Sequence, residues 1–281
     1  MKITYAIQET KDRIKAWKKS GYTIGFVPTM GFLHEGHLSL MRKSAQENAK
    51  TVVSIFVNPT QFSPSEDFSK YPRNFEADAR MCEETGVDLI FSPGVEEMYM
   101  GDADTFVDIG KLSEELCGKS RPGHFRGVCT VVNKLFNIIM PDRAYFGQKD
   151  AQQLAVISRM VRDLNMNVEI VPCPIVREDD GLAKSSRNAY LSSGERVAAG
   201  VLYKAIIEGE RLIKAGERNP EKITSEMKRI IAAEPLARID YVEIVDGDSI
   251  EKISVVKGRV LAAAAVFIGK TRLIDNFTCE V

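Results

Sequence analysis

Three short apolar runs, at residues 22–27, 51–57 and 87–92, alternate with stretches whose apolar residues recur at helical spacing. Runs that are apolar on both faces read as strands buried from both sides, and such strands occur in parallel sheets covered by helices. The helical stretches are residues 10–20, 37–49 and 74–85, the last closed by Gly86. Beyond them, 105–109 reads as a short strand and 127–140 as an apolar helix. A strand at 143–147, a helix at 150–163 and a strand at 167–171, ended by Pro172 and Pro174, follow. This succession predicts an α/β fold with a doubly wound, Rossmann-like parallel sheet. After about Val176 the pattern changes. Two helices at 193–215 and 220–233, with cap signals at Ser193 and at Asn219-Pro220, precede strands at 238–245, 258–268 and 271–276. Gly269-Lys270 suggests a hairpin turn between the last two. We therefore expect residues 1–176 to form the Rossmann-like domain and 177–281 a smaller C-terminal α+β domain with a three-stranded antiparallel sheet.

The strand at 22–27 leads into TMGFLHEGH at 29–37. Pro28 should end the strand, having no N–H to give the ladder, and a helix should begin near His37. The stretch is then a turn at the carboxyl end of a strand, where open α/β sheets bind ligands. Gly31 and Gly36 let the backbone bend and approach a ligand closely. The N–H groups and partial positive charge of a helix start suit a phosphate. His34 and His37, two of only three histidines, lie three apart and so on one side of a helical turn. Two imidazoles so placed can donate hydrogen bonds to phosphoryl oxygens as negative charge builds.

Composition narrows the class. A chain that is 44% hydrophobic and 27% charged is that of a globular protein, and its formal net charge of −1 leaves no electrostatic footprint for nucleic acid. No secretory signal opens it, and its longest apolar run, 260–268, is strand-length, so no membrane span is expected. Five scattered cysteines without a C-x-x-C argue for a reducing cytoplasm and against structural zinc.

Further stretches could carry chemistry. Asn58 and Gln61, just past the second strand, offer uncharged donors and acceptors able to orient a hydroxy acid, although spacing alone favours an Asx–Pro turn. Gly147, Gln148, Lys149 and Asp150 repeat the strand–glycine–helix arrangement; Lys149 could hold a phosphate oxygen, and Gln153 follows one turn on. An ordinary cap with a solvated lysine fits that stretch equally well. Lys184, Ser185, Ser186 and Arg187 form a small, flexible loop of hydroxyls and cations that could close over phosphates, or simply link the domains. Residues 120–127, glycine-rich and basic, hold the third histidine and could bring His124 or Arg126 to a substrate, or be a plain basic loop. Glu76 and Asp78 suit the positive end of their helix, and Asp78 is a candidate Mg²⁺ ligand.

The His-x-Gly-His turn resembles the signature of the nucleotidyltransferase superfamily, shared with class I aminoacyl-tRNA synthetases. Taken with IFVNPTQF at 55–62, RPGHFRG at 121–127, YFGQKD at 145–150 and SSRN at 185–188, it resembles the pantothenate synthetase (pantoate–β-alanine ligase) family along nearly the whole chain. The resemblance implies a two-step reaction in pantothenate and coenzyme A biosynthesis. The carboxylate of (R)-pantoate attacks the α-phosphorus of ATP, and the amine of β-alanine then attacks the pantoyl adenylate. ATP is thus a substrate, with Mg²⁺ as its companion ion. The ATP site would comprise Met30, Gly31, Phe32, Leu33, His34, Glu35, Gly36 and His37, then Gly147, Gln148, Lys149 and Asp150, and finally Val176, Lys184, Ser185, Ser186 and Arg187. His37 would be the proton donor, helped by His34 and Lys149; Gln61 and Gln153 would hold pantoate, with Asn58 beside them. Residues 1–176 would bind nucleotide and pantoate, and 177–281 would act as a lid. Position 184 is often methionine or leucine in the family, so Lys184 departs from it. A homodimer is expected. The rival readings are a nucleotidyltransferase with a stable product, a class I synthetase, which the short and non-basic chain disfavours, and a catalytically silent nucleotide-binding regulator.

Overall fold

The computed structural model describes residues 1–64 and 66–281. The chain begins β1 (Lys2–Thr4), α1 (Ile7–Lys19), β2 (Ile24–Thr29), α2 (Glu35–Glu47), β3 (Lys50–Ile55), α3 (Phe75–Glu84), β4 (Leu89–Phe91) and α4 (Val95–Met98). It continues α5 (Cys117–Ser120), α6 (His124–Ile139), β5 (Arg143–Gly147), α7 (Ala151–Asp163) and β6 (Glu169–Cys173). Helices α8 (Ser193–Ala198), α9 (Gly200–Lys214) and α10 (Pro220–Ala232) then precede β7 (Ala237–Asp246), β8 (Arg259–Ile268) and β9 (Thr271–Glu280). Two compact units result. The first takes Met1–Gly110, Arg121–Gln148 and Val156–Pro174; the second takes Lys111–Ser120, Lys149–Ala155 and Ile175–Val281. Among the described residues no helix is long and apolar enough to cross a membrane.

The first unit is built on a six-stranded sheet in the order β1-β4-β3-β2-β5-β6, every pair parallel. Successive side chains on β2 face opposite ways. Val27 joins Val53, Ile90, Met41 and Cys82 in a cluster under α2 and α3, while Phe26 meets Phe136 of α6 edge to face at 6.3 Å. Both faces are therefore covered, and the apolar runs follow from that. From β2 the chain goes to β3 on one side, and β5 lies on the other. The carboxyl ends of β2 and β5 thus flank the point where the winding reverses, which is where ligands bind in such sheets.

Several expectations need correction. β2 runs through Pro28 to Thr29. Thr29 accepts the Phe56 N–H from the β3 side, so Pro28 faces β5, where the ladder has already ended at Phe26 and no N–H is required. Pro172 likewise sits inside β6, at the sheet edge. β1 has only three residues, too few for a periodic signal, and residues 105–109 are not a strand. There the Val107 N–H binds the Thr130 hydroxyl on α6 instead of a neighbouring strand. α2 and α6 begin two and three residues before 37 and 127, and the predicted helix over 193–215 is divided at Ala199. Its cap is Ser192, paired with Glu195 in a capping box.

In the second unit, β7, β8 and β9 form an antiparallel sheet with β8 in the centre. That position accounts for the unbroken buried run of β8, since both neighbours and both faces are covered. Leu202, Ile206, Ile223 and Met227 of α9 and α10 share its core with Val242, Ala262, Ala264 and Val266. Asn219 caps α10 by accepting the Glu221 and Lys222 N–H groups, as its place before Pro220 predicts.

Candidate active site

The bend between β2 and α2 is fastened from both ends. His34 is the N-cap of α2, and its Nδ1 accepts the Gly36 N–H at 3.1 Å. His37, three residues on, accepts the His34 N–H with its own Nδ1 at 3.3 Å. This is a capping box with imidazoles in both roles. The spacing of His-x-Gly-His is thus a helix-start geometry, and the ring centroids lie 4.1 Å apart. With Nδ1 accepting, each neutral ring carries its proton on Nε2. A Cβ on Gly36 would lie 2.9 Å from two atoms of the His34 ring, so the small residue lets the ring fold back onto its own helix.

Upstream, Gly31 and Phe32 are both left-handed, at φ 82° and 51°. Their turn points the Phe32 and Leu33 N–H groups at the Asp78 carboxylate, with each bond 2.8 Å long. Asp78 is 2% exposed. Burial pushes its carboxyl above the ordinary value, against the pull of the two amides. Each oxygen of Asp78, the candidate metal ligand, thus accepts one backbone amide. Among the described residues no group of three His, Cys, Asp or Glu side chains could hold a metal ion. Glu35 pairs with Arg42 on the outer side of α2.

Past β3, Asn58 is 1% exposed and caps the turn at Pro59–Gln61. Its amide donates to Gln61 Oε1 at 3.1 Å and to the Gly127 carbonyl at 3.2 Å. Its oxygen accepts from Thr60 and, at 2.8 Å, from Tyr99. Asn58 therefore acts on Gln61, whose Nε2 reaches Met30 Sδ at 3.3 Å. Gly127 admits the turn: a Cβ there would lie 2.4 Å from the Thr60 carbonyl oxygen. His124 is not on a mobile loop. It opens α6, is 9% exposed, and bridges the Gln61 carbonyl (2.9 Å) and the Arg121 guanidinium (2.9 Å), which in turn pairs with Glu66. Arg126 is exposed and stacks on Phe106 at 4.0 Å.

Gly147 ends β5, and Gln148–Asp150 form a single turn of 3₁₀ helix ahead of α7. In the second unit, Lys149 lies 3.6 Å from Asp150, and its carbonyl accepts from Asn276 at 2.8 Å. Gln153 is half-buried. Its neighbour Gln152 is buried and spans the Leu112 and Glu115 carbonyls and the Cys117 N–H, a structural part that no sequence pattern revealed.

The stretch at 184–188 is tied down. The Lys184 N–H donates to the Val176 carbonyl, and its ammonium pairs with Glu178 at 2.7 Å. Ser185 caps the 3₁₀ turn Ser186–Tyr190 by accepting the Arg187 N–H, and Ser186 is buried. Behind it Arg177 donates to the Gly181 carbonyl and forms a two-pronged pair, 2.7 and 3.0 Å, with the fully buried Asp275 on β9. Arg177 and Asp275 were missed because residues 98 apart in the chain carry no joint signal.

Known proteins share this architecture throughout. A profile of the family described as pantoate-beta-alanine ligase matches residues 2–278. A pantothenate synthetase of Caldicellulosiruptor saccharolyticus is 60% identical over 281 residues, covering 100% of each chain. The crystal structure of pantothenate synthetase from Thermus thermophilus superposes with a TM-score of 0.94 at 43% identity, covering 99% of each chain. That of pantoate-beta-alanine ligase from Francisella tularensis, complexed with beta-gamma ATP and beta-alanine, superposes with a TM-score of 0.80 at 35% identity, covering 99% of this chain and 97% of that one. On these grounds the chain belongs to the pantoate-beta-alanine ligase family.

Proposed function

We propose that this chain condenses (R)-pantoate with β-alanine at the expense of ATP, yielding pantothenate, AMP and diphosphate through a pantoyl adenylate. The observation that carries the mechanism is the pair of imidazoles whose Nδ1 atoms accept backbone amides. Each ring then has its Nε2–H as a donor of fixed direction at a helix N-terminus. In the first step the pantoate carboxylate attacks the α-phosphorus and negative charge grows on the phosphoryl oxygens. Donors already in place stabilise that charge without having to reorganise. His37 and His34 fill this role, with Lys149 and Arg187 as the cations for the phosphates. Gln61 and Gln153 hold pantoate through uncharged amides, which leave the attacking carboxylate its negative charge. Asn58 and His124 set Gln61, through its side chain and its carbonyl respectively. In the second step the neutral amine of β-alanine attacks the acyl carbon and AMP leaves; Gln61 serves this step too.

The nucleotide is met by residues 30–37, by 147–150, by Val176 and by 184–187. Lys184 contributes through its backbone, since its ammonium is engaged by Glu178. Mg²⁺ would offset phosphate charge, and among the described residues no group of three His, Cys, Asp or Glu side chains forms a cage for it. It would enter on the phosphates, with water completing its shell. Residues 1–176 are the nucleotide- and pantoate-binding part, although Lys149–Ala155 within them pack with the second unit, and residues 177–281 carry the 184–187 loop. A cytoplasmic homodimer completes the proposal. Its five cysteines are all unpaired, and burial pushes the Cys82 and Cys129 thiols up to about 12.

The test supplies ATP and pantoate with and without β-alanine and follows diphosphate and AMP. AMP release that requires both substrates is expected. Diphosphate release with alcohols or nucleotide monophosphates in place of pantoate would overturn the proposal in favour of a simple nucleotidyltransferase.

A further inference from the structure

We propose that Asp78 is a positioning residue for adenylate formation: by gripping the Phe32 and Leu33 amides it holds the bend that makes His34 the N-cap and so aims both imidazoles. The role in adenylate formation rests on the function proposed above; the positioning itself rests on geometry. Between Thr29, the end of β2, and Glu35, the start of α2, the chain must reverse direction. It does so through Gly31 and Phe32, consecutive residues in the left-handed region. That conformation suits glycine and is unfavourable for phenylalanine, so something must hold it.

Successive N–H groups in a tight turn can point toward one spot, making a concave nest that takes an anion, and here the Phe32 and Leu33 N–H groups do so. Here the anion comes from the protein. Asp78 lies in the first turns of α3, whose start is set by Asn74, which accepts the Ala77 N–H with its side chain and the Asp78 N–H with its carbonyl. Each Asp78 oxygen takes one nest amide at 2.8 Å. Among the described residues no ion pair involves Asp78, so these amides are what answers its buried charge. The grip ends at Leu33, and the next residue is His34, whose N–H and Nδ1 both belong to the imidazole capping box. Releasing the nest lets the His34 backbone rotate, and the bond that fixes the His37 ring goes with it.

The experiment compares wild type with Asp78→Asn. Asparagine keeps the shape and loses the charge, and its NH₂ opposes one of the two nest N–H groups. Nitrogen-15 spectra of the His34 and His37 rings should show Nε2–H tautomers in wild type and mixed tautomers in the variant. Diphosphate formation from ATP and pantoate should fall about 10²-fold in kcat, the cost of a misplaced catalytic group, with KM for ATP little changed. Attack of β-alanine on supplied pantoyl adenylate should stay near the wild-type rate. Unchanged ring spectra, or an equal fall in both half-reactions, would overturn the proposal. If wild type itself makes no diphosphate with pantoate, the reaction is misassigned and the ring spectra alone decide the positioning role. Should Asp78→Asn fail to fold, Gly31→Ala disturbs the same nest from the other side. Its Cβ would lie 3.0 Å from Asp78 Oδ2 at a φ of 82°. The same change of tautomers is then expected, and its absence overturns the proposal.

Discussion

The bend at 30–37 and the loop at 184–187 are both proposed to meet the nucleotide, yet they are held by different forces. In the bend the anchors end on backbone: Asp78 binds two amides, and each imidazole binds one. Short side chains on amide groups leave few rotatable bonds between anchor and reacting atom. The loop is held by long cations on carboxylates, Arg177 to Asp275 and Lys184 to Glu178. Such pairs hold the segment through long side chains, and the Arg177 fork is fixed by its two-pronged contact with Asp275. The difference suits the work proposed for each. Developing charge at the α-phosphorus needs donors of fixed direction, whereas the loop's proposed cation for the phosphates, Arg187, is carried on a long side chain from a segment that the two ion pairs hold in place.

Substitutions can break this contrast. The largest effect is expected for His37→Ala. Losing one aimed donor to developing charge costs about 10²–10³ in rate. Stability should fall by only about 1 kcal/mol, the worth of a helix cap. Single-turnover diphosphate release and thermal unfolding measure the two, and wild-type turnover in the folded variant would remove the bend from the mechanism. Next comes Asp275→Ala, which leaves Arg177 without its partner. Breaking a buried pair costs about 3–5 kcal/mol, and roughly 3 is expected because Arg177 keeps some solvent access. Urea unfolding gives the loss, and diphosphate release at saturating ATP should fall less than in His37→Ala.

A smaller effect concerns pH and the Gln61 support. Burial works to raise the Glu66 carboxyl, but the Arg121 hydrogen bond, the Ser63 N–H and the Arg121 charge together hold it below the ordinary 4.5. The native state therefore binds fewer protons than the unfolded state between the two values. The stability this adds is full above 4.5 and is lost as pH falls through the lowered native value. Glu66→Gln should flatten that part of the acid-unfolding curve, followed by urea denaturation at descending pH. The smallest effect is expected for Lys184→Met. Its pair is partly solvated and worth under about 1 kcal/mol, so activity should change by no more than a few-fold. A larger loss in diphosphate release would give its ammonium a direct part.

The parallel strands were legible because burial on both faces writes a continuous apolar run, as in β2, β3 and the central antiparallel strand β8. β1 was not, because three residues have no period. Pro28 misled because a proline's effect depends on which side its missing N–H would face, and neighbouring strands decide that. In the site, His34 and His37 declared themselves by spacing. Asp78 did not: an acid in the first turns of a helix looks the same whether it meets water, a metal ion or a distant amide. His124 looked like part of a loop because Gly123 precedes it, yet that glycine, at φ 81°, is the N-cap of α6.

The sequence by itself determined what is local and periodic: which segments are strands or helices, the paired imidazoles at a helix start, and a family signature spread along the chain. These follow from spacing, which the covalent chain sets. Tertiary structure alone decided which side chains serve the backbone. Asp78 on the 30–33 bend, His124 on the Gln61 carbonyl and Asp275 on Arg177 are pairings between distant segments. A buried carboxylate or imidazole has to find a partner once water is gone, and only the packed fold determines which partner is within reach.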